Sequence, residues 1–114
     1  MSVPLYQAKA EFLRTLGHPA RIRILELLSE RDHAVHELLE QIAIEPSNLS
    51  QQLAVLRRTA LVVSTRTDGE VVYSISVPEV RDLLLAARRI ITSRAAAAVD
   101  FESELTPAPS SSAR

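Results

Sequence analysis

The sequence predicts a mainly α-helical fold carrying one β-hairpin, in the order α-α-α-α-β-β-α. Three observations lead there. Apolar residues recur at three- and four-residue spacing through the first half of the chain. Between residues 61 and 76 the period drops to two, and β-branched residues flank an Asp-Gly pair. The helical period then returns and runs into a stretch of Thr, Pro, Ser and Ala.

The first helix opens after Pro4 and carries Leu5, Ala8, Phe12 and Leu16 on one stripe. Gly17 stops it, and Pro19 suits the first turn of the next helix. That second helix buries Ile22, Leu25 and Leu28, with Ile24 and Leu27 widening the apolar face. His18, at the junction, reads as a capping or structural residue. Asp32 or His33 opens a short third helix bearing Val35, Leu38, Leu39 and Ile42, and Ile44-Glu45-Pro46 breaks it. Ser47 caps a fourth helix that runs to about Thr59. Strands Leu61–Arg66 and Val71–Ser76 follow, joined through Thr67-Asp68-Gly69-Glu70, where Asp-Gly supplies the positive φ angles of a tight turn. Ser76-Val77-Pro78-Glu79 has the spacing of a capping box. The last helix after it is apolar at Leu83, Leu84, Ala87, Ile90 and Ile91. Residues 1–104 form one domain, and 105–114 read as a disordered tail.

Composition removes whole classes of activity. In 114 residues there is no cysteine, so thiolate metal sites, thiol nucleophiles and disulfides are excluded. Gly17 and Gly69 stand far apart, leaving no glycine-rich loop for a nucleotide phosphate. No apolar run reaches the roughly 18 residues of a membrane span, and the N-terminus lacks a secretory layout, so a soluble, cytoplasmic protein is expected. No nucleophile motif or metal triad suggests an enzyme. The net charge is −1, but its distribution is uneven. Residues 24–45 carry six acids against Arg31, while residues 46–67 carry Arg57, Arg58 and Arg66 and no acid. A focused, phosphate-contacting face fits that pattern better than general polyanion binding.

Two short helices, a turn and a hairpin follow one another in the order of a winged helix-turn-helix. At about 100° per residue the fourth helix places Leu49, Leu53 and Leu56 on one narrow face. Its opposite face collects Ser47, Asn48, Gln51, Ala54, Val55 and Arg58, with Gln52 and Arg57 flanking and Ser50 beside them. Amides and hydroxyls both donate and accept, and Val can touch a thymine methyl, so this face suits the reading of base edges. The helix N-terminus adds N–H groups for a phosphate. An ordinary solvent face would carry Glu and Lys, and this one has neither. Arg66 and Thr67, near the hairpin tip, are candidates for a phosphate or minor-groove contact. Asp68 and Glu70 oppose it; turn chemistry explains Asp68, and pairing with Arg66 would neutralise Glu70.

Taken together, LGHPARIRILELL (Leu16–Leu28), SNLSQQLAVLRRTALV (Ser47–Val62) and RTDGEVVYSI (Arg66–Ile75) resemble the ArsR/SmtB family of winged-helix transcriptional regulators. The resemblance spans about Leu5 to Ile91. It implies a homodimer held by the first and last helices, with Leu5, Phe12, Leu83, Leu84, Ala87, Ile90 and Ile91 at the interface. It also implies paired recognition helices on a palindromic operator in double-stranded DNA. Half-sites one DNA turn apart, about 34 Å, would match such a dimer.

The sequence departs from that family at its usual sensing sites. Metal-sensing members resemble Cys-Val-Cys-(Asp/Glu)-Leu on the third helix, where this chain has Ala34-Val35-His36-Glu37-Leu38. The last helix offers Asp82 and arginines, with no histidine beyond position 36. What remains is His33 and His36, three apart on one side of a helix, with Asp32, Glu37 or Glu40 as oxygen ligands. Such a site would suit nickel or zinc, although two histidines at this spacing are commonly just exposed polar residues. The arginines of the last helix read as an exposed face. The expected function is a sequence-specific DNA-binding regulator, a repressor or an activator. The alternatives are a nickel- or zinc-responsive regulator, or an interaction module acting with a separate sensor subunit.

Overall fold

A computed structural model describes the backbone of residues 2–105 and the side chains of residues 2–96. It contains α1 (Leu5–Leu16), α2 (Pro19–Glu30), β1 (His33–Ala34), α3 (Val35–Gln41), α4 (Pro46–Arg58), β2 (Val62–Thr67), β3 (Glu70–Ile75) and α5 (Glu79–Leu105). Two compact units divide at Asp82. The first holds α1 to β3 and the opening of α5, and the second holds the rest of α5. Of the tail expected at 105–114, Leu105 closes α5 and the others lie outside the described residues.

The core of the first unit comes from the apolar stripes read in the sequence. Ile24, Leu25 and Leu28 of α2, Leu38 of α3, and Leu49, Leu53 and Leu56 of α4 are fully buried together with Val62 and Val80. Removing each such side chain from water contributes about 1.5–3 kcal/mol. The α4 leucines fall at the spacing that keeps one helix face inward. That packing settles which way the opposite face looks.

Local chemistry sets the ends. His18 Nδ1 accepts the Ala20 N–H at 3.2 Å and caps α2, with Pro19 in the first turn. At the far end of α4, Ala60 takes φ 63°. Its N–H reaches Arg57 O and the Leu61 N–H reaches Leu56 O, each at 3.0 Å. These two bonds close the helix in a Schellman arrangement. Asp68 (φ 51°) and Gly69 (φ 80°) form the two-residue turn of the hairpin, as the Asp-Gly pair predicts.

Both hairpin strands shift by one residue from the sequence reading, to Val62–Thr67 and Glu70–Ile75, and three further boundaries differ. The third helix starts at Val35, because His33 and Ala34 form a short strand paired with Tyr73 and Val72 of β3. The sheet therefore has three strands, in the order β1-β3-β2. α4 starts two residues early: Pro46 is its first residue and Glu45 occupies the cap position, so Ser47 lies inside the helix. Ser76 does not cap α5. Its hydroxyl donates to Ala60 O at 2.7 Å and its N–H to Leu61 O at 3.0 Å, so it ties the base of the hairpin to the end of α4.

Candidate nucleic-acid interface

Ser47, Ser50, Gln51, Arg57 and Arg58 are exposed on α4, and Asn48, Ala54 and Val55 are half-buried. No side chain caps α4, which leaves the N–H groups of its first turn for an outside acceptor. Ala54, Arg57 and Arg58 line a shallow pocket of about 310 Å³ near the other end of the helix. Among the described residues no acid lies within ion-pair distance of either arginine. The helix thus presents hydroxyls and an amide at its start, a glutamine midway, and two uncompensated cations at its close.

Gln52 is a correction. It is only 7% exposed, and both ends of its amide are occupied. Arg21 Nε donates to its Oε1 at 2.8 Å, and its Nε2 donates to Asn48 Oδ1 at 2.8 Å. A rotation of 100° per residue puts position 52 at the edge of the outward face, and Arg21 of α2 draws it inward. In this structure neither end of the Gln52 amide is left free to face outward. Arg21 is not legible in the sequence, because its partner is 31 residues away and no local period reports such a pair.

On the hairpin, Arg66 and Thr67 are exposed. Arg66 Nη1 donates to Gly69 O at 3.2 Å, closing the turn. The expected Arg66–Glu70 pair is absent; Glu70 Oε2 lies 3.3 Å from His36 Nε2 instead.

The histidine pair does not form the site expected of it. His33 belongs to β1 and is 4% exposed, while His36 is an exposed residue of α3. They do not share a helix face. Neither ring nitrogen of His33 has a hydrogen-bond partner, and its Nδ1 is 3.7 Å from Glu37 Oε1. The Glu37 carboxylate accepts the Ala34 N–H at 2.9 Å. That bond chiefly, helped by nearby Arg31 and His33, holds its pKa below the ordinary value. Among the described residues no three His, Asp or Glu side chains come together as a metal cluster.

Of the residues expected at a subunit interface, Leu5, Phe12, Ala87, Ile90 and Ile91 are exposed and Leu83 and Leu84 half-buried. No helix among the described residues is long and apolar enough to cross a membrane.

Residues 18–64 match the family described as bacterial regulatory protein, arsR family. The chain is 55% identical over 91 residues to an uncharacterized HTH-type transcriptional regulator of Mycobacterium tuberculosis, Rv0081, covering 79% of this chain and 80% of that one. It is 36% identical over 77 residues to the biofilm growth-associated repressor of Xylella fastidiosa, covering 68% of each. Among solved structures, the crystal structure of Rv0081 matches with a TM-score of 0.77 at 52% identity, covering 86% of this chain and 99% of that one. The transcriptional repressor BigR from Xylella fastidiosa matches with a TM-score of 0.66 at 32% identity, over 78% of this chain and 88% of that one.

Proposed function

The chain belongs to the ArsR family of bacterial regulatory proteins, and from that premise we propose that it reads an operator through the outward face of α4. DNA-binding regulation of transcription, not catalysis, is what membership of this family carries. The observation supporting the assignment of the face is its composition. Ser47, Asn48, Ser50, Gln51 and Val55 have no acid among them, and Leu49, Leu53 and Leu56 hold the helix from behind. Gln51 addresses base edges, Arg57 and Arg58 address phosphates, and Arg66 and Thr67 of the hairpin flank them. Two copies, joined through the apolar surfaces of α1 and α5, present two such helices to a palindrome. We take the regulator to be a repressor, in keeping with the name of the Xylella relative. Among the described residues no third ligand joins His36 and Glu70, short of the three or four protein ligands zinc takes, so the proposal assigns no metal.

Fluorescence anisotropy on the duplex upstream of the protein's own gene, against a scrambled duplex, tests the assignment. Gln51→Ala lowers operator affinity by about 1–3 kcal/mol and leaves the scrambled duplex unaffected. Arg58→Ala weakens both alike and reduces the salt slope by about one. Operator affinity unchanged in Gln51→Ala refutes the assigned face.

A further inference from the structure

A chain of three hydrogen bonds, each 2.8 Å long, runs from the end of α1 into the first turn of α4. Arg21 Nη1 donates to the backbone carbonyl of Thr15, Arg21 Nε donates to Gln52 Oε1, and Gln52 Nε2 donates to Asn48 Oδ1. Its direction is fixed by chemistry. A guanidinium has donors only, so the atom of Gln52 that meets Arg21 must be the oxygen. The nitrogen of Gln52 must then face Asn48, and the atom of Asn48 that meets it must again be an oxygen. Turning either amide over would set donor against donor. Because Gln52 is buried, an unmade bond there is costly.

Asn48 is half-buried at the start of α4. With Oδ1 engaged, its Nδ2 keeps two N–H groups that have no partner among the described residues. We infer that Arg21 is a positioning residue that, through Gln52, sets the polarity of the Asn48 amide, so that Asn48 meets DNA as a hydrogen-bond donor. This rests on the reading of α4 as the DNA-contacting helix and adds a base preference to it. A donor in the major groove selects a base whose edge offers acceptors alone: guanine, through O6 and N7, or thymine, through O4.

Selection of duplexes from a random pool, run in parallel on the wild type and variants, reads this out. Asn48→Ala loses the preference at one position of each half-site, which identifies the base concerned. At that position the wild type selects guanine or thymine. In Gln52→Glu the carboxylate accepts from Arg21 and can only accept from Asn48. The Asn48 amide therefore turns over, and selection moves to cytosine or adenine, whose N4 or N6 donates. Arg21→Met frees Gln52 and lowers enrichment at that position at least fivefold, while Arg21→Lys, still a donor, restores it. Thermal melting verifies that each variant folds. Where Gln52→Glu does not, Gln52→Met removes the donor to Asn48 and gives the relaxed preference in its place. The inference is overturned if folded Gln52→Glu and Arg21→Met select the same base as the wild type, or if Asn48→Ala lowers affinity without altering any preference. A wild type that enriches no sequence overturns the DNA-reading proposal itself, and this one with it.

Discussion

At Ala60 the backbone adopts a left-handed conformation that an L-residue with a Cβ avoids. The φ of 63° costs about 1–2 kcal/mol relative to the right-handed region, and glycine usually takes this place after a helix. The reward is local: the two bonds to Arg57 O and Leu56 O satisfy carbonyls that the end of α4 would leave open. Ala60→Gly relieves the strain, though glycine's freer unfolded chain takes back part of the gain. We expect a net stabilisation of about 0.5–1 kcal/mol, seen as a rise in Tm of about 3–6 °C. DNA affinity stays the same, because the bonds that end α4 are kept. A lower Tm in the variant would show that the left-handed turn is not strained. Gln52 carries the opposite lesson at this scale. Its helical angle is legible in the sequence, but its orientation is decided by Arg21, which no spacing rule reveals.

Among the elements, legibility follows length and locality. α1, α2 and α4 declare themselves because each repeats its apolar period over three turns, and the hairpin does so because Asp-Gly dictates its turn. β1 is two residues long, too short to show a period, and its partner strand lies about forty positions away, so the sequence reads it as the start of α3. The expected histidine pair goes with that reading, since a strand places His33 and His36 differently from a helix. What starts α3 is Glu37, which accepts the Ala34 N–H through its carboxylate. Its folded pKa is lowered, so the stabilisation it adds is present above the unfolded-state pKa. It is lost as pH falls through the lower folded value. Glu37→Gln keeps a weaker, uncharged acceptor. The Tm advantage of wild type over Glu37→Gln is therefore expected to be full at pH 7 and to shrink below the ordinary carboxylate range. Melting both proteins from pH 7 to pH 3 checks it, and an advantage of constant size would remove the carboxylate from the account.

For the whole molecule, the outstanding physical fact is apolar surface without cover. α1 buries Leu16 alone and leaves Leu5 70% exposed, with Tyr6, Phe12 and Leu13 also open. A twelve-residue helix is marginal in water by itself and gains its stability by burying its stripe. In the second unit Leu85, Ile90 and Ile91 are exposed, Ile91 at 66%. Scattered apolar residues on a surface are ordinary; a row along α1 that matches its own helical period is a face awaiting a partner. We propose a second copy of the chain as that partner, which would double the number of α4 helices offered to DNA. Sedimentation velocity at micromolar concentration is expected to give twice the single-chain mass. In the proposed homodimer, Leu5→Glu with Ile91→Glu adds two carboxylates per chain and is expected to return the protein to single chains. Operator affinity then falls about a hundredfold or more, because binding of the second half-site ceases to be intramolecular. Binding to a lone half-site falls far less, since α4 and its leucine backing are untouched. If the double variant sediments as the wild type does, or the wild type is a single chain while binding a full palindrome tightly, the apolar faces have another purpose and pairing of half-sites needs a different cause.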